Sequence, residues 1–202
     1  MVTIMVNMIP IGEEVQEMSA KAYFPSDDSI KEIRIPSKNG KWSILTFYPG
    51  DFTFVCATDI EAFMSMKSQF ESNGADLYAI STDSVFSHKG WAQTSPRVKE
   101  STIPMIEDFT KKITSSFGFM NESSGASRRG VVILDPEGRI QYLSVFNDGL
   151  GKDAEHIFNA FMGLKQMHDA PAKSGHMCAI PANWKAGSKT LDIDVVKDIG
   201  KL

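Results

Sequence analysis

Apolar and polar positions along the chain follow two periods. Residues 43–48 (SILTFY), 76–81 (DLYAIS), 130–134 (GVVIL) and 140–145 (IQYLSV) are short runs rich in β-branched and aromatic side chains, the pattern of strands in a well-covered sheet. Between them the period lengthens to that of a helix. Residues 59–71 bring Ile60, Phe63, Met64, Lys67 and Phe70 onto one face, and Asp59 suits the positive end of a first turn. Residues 83–93 and 153–167 read the same way, the second with Ile157, Phe158, Phe161 and Leu164 turned toward a sheet.

The order of these elements constrains their arrangement. Strand, helix, strand and helix in succession call for right-handed crossovers and parallel pairing. Asp135-Pro136-Glu137-Gly138 joins two strands through a Pro already set for a turn and a Gly free to take positive φ, which predicts an antiparallel hairpin. The expected fold class is therefore α/β, a mixed central sheet flanked by helices. After His168 the periodicity weakens among Pro171, Gly175, Pro181 and Gly187. This predicts a main domain over residues 1–168 and an extended C-terminal tail over 169–202, ordered only by lying on something else.

Composition removes several classes of function. Of 202 residues, 42% are hydrophobic and 23% charged, and 21 basic side chains against 25 acidic ones leave a net charge of −4. Such values exclude a disordered or collagen-like chain, and without a basic run no nucleic-acid partner is expected. The apolar start MVTIMVNMIPIG has no Lys or Arg before Lys21 and carries Asn7 and Pro10, so no secretory signal is read. No apolar stretch is long enough to span a membrane, and a cytoplasmic protein is expected. His176-Met177-Cys178 offers two adjacent ligands where a zinc site needs four, so no metal is expected. Two cysteines in a reducing compartment are then redox-active, catalytic or simply buried thiols.

Cys56 follows a buried strand that ends at Pro49 and a loop through Gly50, and it precedes a helical pattern beginning near Thr58 or Asp59. A cysteine in or beside a first helical turn meets free amides and the positive end of the macrodipole, which favour the nucleophilic thiolate. Thr53 can bring a hydroxyl to the sulfur or to a bound oxygen, and Pro49, lacking an N–H, can wall the pocket. Composition by itself favours the plainer reading, a small core hydrophobe among Phe52, Phe54 and Val55.

The P-x-x-x-T-x-x-C spacing after a strand reverses that balance. The segment FYPGDFTFVCATD resembles the active-site motif of the peroxiredoxins, in particular the alkyl hydroperoxide reductase C type. The likeness continues through Ser87-His88-Lys89-Gly90-Trp91, similar to the family's H-x-x-W stretch, and through Arg129 to Gly138. It implies a thioredoxin-like fold, Cys56 as the peroxidatic nucleophile that becomes a sulfenic acid, Thr53 and Arg129 as activators, Pro49 as a shield, and no cofactor. An arginine beside a thiolate favours its charge and can donate to both peroxide oxygens. Without the resemblance, Arg128 and Arg129 in a Ser/Gly-rich stretch read as a solvated loop.

In the two-cysteine subgroup that the chain resembles, the tail cysteine, here Cys178, resolves the sulfenic acid of a partner subunit as an intersubunit disulfide. The resemblance further implies a homodimer, assembly into a decameric ring, and reduction by a thioredoxin-like protein or a flavoprotein disulfide reductase. The tail departs from the family's C-P-A-x-W-x-x-G pattern, because Ala179 and Ile180 separate Cys178 from Pro181. Ala57 and Asp59 stand where the family has Pro and Glu, and a hydrogen-bonding or ion-pair role near the site is open to Asp59. The Gly-Gly-Leu-Gly insertion of oxidation-sensitive relatives is replaced by Pro96-Arg97-Val98-Lys99-Glu100-Ser101, which predicts resistance to overoxidation. A one-cysteine peroxidase and a chaperone or redox-relay ring are the competing readings. A dithiol oxidoreductase is disfavoured, since Cys56 opens no C-x-x-C.

Overall fold

A computed structural model describes residues 9–171, 176–194 and 196–201. The expectations for residues 1–8 and for Gly175 lie outside these. The chain divides into two compact units, one reaching Ala154 and the other beginning at Glu155. The first contains β1 (Met18–Phe24), β2 (Ser29–Ile35), β3 (Trp42–Phe47), α1 (Phe54–Ser72), β4 (Ala75–Ser81), α2 (Val85–Thr94), β5 (Met105–Glu107), α3 (Lys112–Ser116), β6 (Arg129–Leu134) and β7 (Ile140–Phe146). At the boundary α4 (Ala154–Asp169) begins, followed by β8 (His176–Ala179) and β9 (Leu191–Asp194). Among the described residues no helix is long and apolar enough to cross a membrane.

Seven strands form one mixed sheet in the order β2-β1-β5-β4-β3-β6-β7. β3, β4 and β5 run parallel, with α1 and α2 as the crossovers, and the remaining neighbours are antiparallel. Every residue of β3 and β6 is buried, as expected of strands covered on both faces. Leu45, Phe47, Ile80, Val132 and Leu134 fill one face with Ile113, Phe117 and Phe119. The Phe47 and Phe119 rings meet edge to face, with centroids 4.8 Å apart. The β6–β7 hairpin closes as expected. The Gly138 N–H donates to the Asp135 carbonyl at 2.9 Å, and Gly138 takes a φ of +85°, where an added Cβ would stand 2.5 Å from Pro36 Cγ.

Three features depart from the sequence reading. First, α1 starts at Phe54 rather than near residue 58, since Thr53 is the extended residue that precedes it. Phe54 is 92% exposed, so the helix opens on a side chain that lies outside the buried face marking the rest of it. Second, β1, β2 and β5 were not anticipated. β2 pairs with β1 along its whole length and forms the sheet edge with four of its seven residues exposed, while β1, between β2 and β5, mixes exposed and half-buried positions with buried Ala22 and Tyr23; both dilute the strand signal, and β5 has only three residues.

Third, the tail is more organised than an extended segment. β8 and β9 pair as an antiparallel ribbon, with Cys178 opposite Asp192. Within this second unit Asn159 of α4 holds the turn between them, donating to the Trp184 carbonyl at 2.8 Å and accepting from the Ala186 N–H at 3.1 Å. Gly163 lies against Ile180 and Trp184.

Candidate active site

Cys56 is the third residue of α1, in the turn whose amides have no intrahelical partner. The loop before it is bent sharply, with Phe52 in the left-handed region at φ +57°. The Thr53 hydroxyl donates to the Gly50 carbonyl at 2.8 Å, which leaves its oxygen free to accept. Cys56 is 1% exposed. It can be reached through a pocket of about 300 Å³ lined by Pro49, Thr53, Phe54, Val55, Cys56, Arg129 and Asp148.

Four of the five residues singled out in the sequence therefore line one pocket. The fifth, Cys178, lies on β8 in the other compact unit, and both cysteines are free thiols.

Arg129 opens β6 and is 2% exposed. Its Nη2 donates to Cys56 Sγ at 3.5 Å and to the Asp148 carbonyl at 2.9 Å, and Nε reaches the same carbonyl at 3.3 Å. Its Nη1 pairs with Asp59. Burial opposes the guanidinium charge, but Asp59 and Cys56 together outweigh it and raise the Arg129 pKa above its ordinary value.

Asp59, one turn after Cys56, faces donors on both oxygens. Oδ1 accepts the Lys152 N–H at 2.8 Å, and Oδ2 meets Arg129 and, at 3.2 Å, the Lys152 ammonium. The ion-pair role left open for Asp59 is thus occupied. Lys152 was missed: one lysine after a Gly-containing loop carries no local signal, and its partner Asp59 is 93 residues away.

A second buried network braces the loop from the other side. The Tyr48 hydroxyl donates to Asp51 Oδ1 at 2.8 Å. His88, fully buried, places Nδ1 2.9 Å from Asp51 Oδ2 and Nε2 3.2 Å from the Ile106 carbonyl. Burial raises the Tyr48 pKa well above the usual phenol range, and Asp51 adds to the effect. The H-x-x-W stretch thus joins α2 to the segment that carries Pro49 and Thr53, with Trp91 packed 5.7 Å from the Tyr48 ring.

The sequence profile of the AhpC/TSA family matches residues 11–143. The alkyl hydroperoxide reductase C of Amphibacillus xylanus is 37% identical over 191 residues, covering 94% of this chain and 98% of that protein. The chain belongs to the AhpC/TSA family. The Staphylococcus epidermidis alkyl hydroperoxide reductase C is 34% identical over the same shares. Among solved structures, the reduced 2-Cys peroxiredoxin of Plasmodium vivax superposes with a TM-score of 0.81 at 27% identity, covering 89% of this chain and 91% of that one. AhpC of Enterococcus faecalis gives 0.73 at 27% identity, covering 81% and 98%. As an AhpC/TSA protein with peroxiredoxin neighbours, the chain has the thioredoxin-like fold and is an oxidoreductase of the peroxidase kind.

Proposed function

We propose that this peroxidase reduces hydrogen peroxide and organic hydroperoxides through Cys56, with Cys178 of the partner subunit as the resolving thiol. The observation that carries the reading is the Arg129 donor 3.5 Å from a sulfur in the first turn of α1, at the base of a pocket. Guanidinium and helix amides both favour the thiolate. A hydroperoxide entering past Pro49 can donate its O–H to Thr53 Oγ1, whose own proton is held by Gly50. The thiolate attacks the terminal oxygen, the O–O bond breaks, and the leaving oxygen departs as water or alcohol after taking up a proton. Arg129 steadies the charge on that oxygen as it develops. Cys56 is left as a sulfenic acid.

Cys178 then attacks the sulfenic sulfur, releasing water and forming a disulfide. A thioredoxin-like protein or a flavoprotein disulfide reductase returns both sulfurs to thiols by exchange. The placement of Cys178, half-buried on a short two-stranded ribbon, supports this role, because a short edge element can rearrange to bring sulfurs within bonding reach. The assembly expected for this cycle is a homodimer, further built into a decameric ring, in the cytoplasm.

Stopped-flow peroxide consumption tests the first step: Cys56→Ser should consume none, and retained turnover would overturn the assignment. Arg129→Met should slow the peroxide reaction by about 10²–10³-fold. Non-reducing electrophoresis after one equivalent of peroxide tests the second step. A dimer band that Cys178→Ser abolishes supports resolution across subunits; turnover that survives Cys178→Ser with an added small thiol supports the one-cysteine cycle.

A further inference from the structure

A second cation is sealed beside Cys56. The Lys152 side chain is fully buried. Its ammonium donates to the Phe47 carbonyl at 2.8 Å, lies 3.2 Å from Asp59 Oδ2 and stands 5.7 Å from the centre of the Phe63 ring. The charged groups acting on it are Asp59 and Cys56 from α1 and Arg129 from β6. With Cys56 as a thiol, Arg129 and Lys152 outnumber Asp59 by one charge among side chains that are almost wholly buried. A thiolate balances the cluster, and an imbalance of this kind is costly at low dielectric.

We propose that Lys152 is a positioning residue for Cys56: its charge engages Asp59, so that Arg129 can serve the sulfur, and it completes the balance that favours the thiolate. The proposal rests on Cys56 being the reactive thiol. Asp59 is shared, with Arg129 on one side and Lys152 on the other. Remove the lysine charge and Arg129 becomes the sole counter-ion of two competing anions.

The identity of the residue adds a pH dependence that an arginine would not. An ammonium can lose its proton where a guanidinium cannot. Burial lowers the Lys152 pKa to about 8, against the opposing pull of Asp59. Above that pH the cluster carries an excess negative charge, Asp59 turns wholly to Arg129, and peroxide reactivity falls.

Two measurements test this. In a Cys178→Ser background, where Cys56 is the one remaining thiol, the rate of iodoacetamide alkylation is followed against pH. Lys152→Met should move the midpoint up by about one unit or more, slowing alkylation about tenfold on the acid side, and Lys152→Arg should keep the midpoint of the parent. With both cysteines present, stopped-flow peroxide reduction should lose rate above about pH 8 in the native protein and keep it in Lys152→Arg. Equal midpoints for Lys152→Met and its parent would overturn the proposal, as would an alkaline loss that persists in Lys152→Arg. The second criterion stands even if Lys152→Met does not fold. Alkylation needs no peroxide, so a native protein that alkylates as expected but consumes no peroxide refutes the peroxidase reading and leaves the Lys152 proposal intact.

Discussion

Replacing Asp59 with Asn keeps the shape of the side chain and removes the one anion between two sealed cations. The side chains of Asp59, Arg129 and Lys152 are exposed by 1%, 2% and 0%. Both carboxylate oxygens accept from N–H donors, so either orientation of the amide points an NH2 at another donor. Leaving a buried charge without its partner costs about 3–5 kcal/mol. For a chain of this size that corresponds to a melting point lower by about 6–20 °C. Urea unfolding followed by far-ultraviolet dichroism and by tryptophan fluorescence measures the loss directly. The companion variant Asp59→Asn/Lys152→Met removes one cation as well and should lose less than the sum of its single changes, with a coupling of about 0.5–3 kcal/mol. A loss below about 1 kcal/mol in Asp59→Asn would refute the reasoning, because it would mean that water already reaches these cations.

Three further outcomes follow from the same geometry. Gly130→Ala would place a Cβ 2.7 Å from both Phe119 Cε2 and the Ser144 carbonyl oxygen; the ring can give but the strand cannot, so a loss of about 1–3 kcal/mol is expected in urea midpoints. His88→Ala strips buried Asp51 of a hydrogen-bond partner and loosens the loop of Pro49 and Thr53, so it should cost about 1–3 kcal/mol and slow peroxide reduction as well, read by unfolding and stopped flow. Burial raises Tyr78 to about 12 and lifts Tyr48 well above the ordinary phenol range. These phenols stay protonated in the fold at pH values where the unfolded chain ionises, so their contribution is complete below about pH 10 and is lost as pH rises toward 12. Lys152 has the opposite sign. Its folded value of about 8 lies below the ordinary 10.5, so its contribution to stability grows across that interval. Urea stability should therefore hold or rise from pH 8 to about 10 and then fall, with phenolate absorbance appearing together with unfolding.

Local periodicity was enough to place the buried strands of residues 43–48, 76–81 and 130–134, the helices between them and the Asp135–Gly138 turn. Each of these signals lies within a few neighbouring residues. The spacing of Pro49, Thr53 and Cys56 was legible for the same reason, and the pocket joins all three to Arg129. β1 and the edge strand β2 were not, because strands that mix exposed and half-buried positions lose the apolar run that marks a covered one. Neither was the true start of α1, whose first side chain, Phe54, is 92% exposed.

The cluster behind the sulfur shows the limit most clearly. Arg129 reaches Asp59 across 70 positions and Lys152 reaches it across 93. No periodicity or motif in the residues near Lys152 selects it from the other basic side chains. By itself the sequence determined the covered strands, the helices between them and which cysteine heads a helix, because those depend on neighbours along the chain. Only the folded sheet decided that two cations and one carboxylate would be sealed beside Cys56, because electrostatic balance in a buried site depends on distance through space and on the exclusion of water.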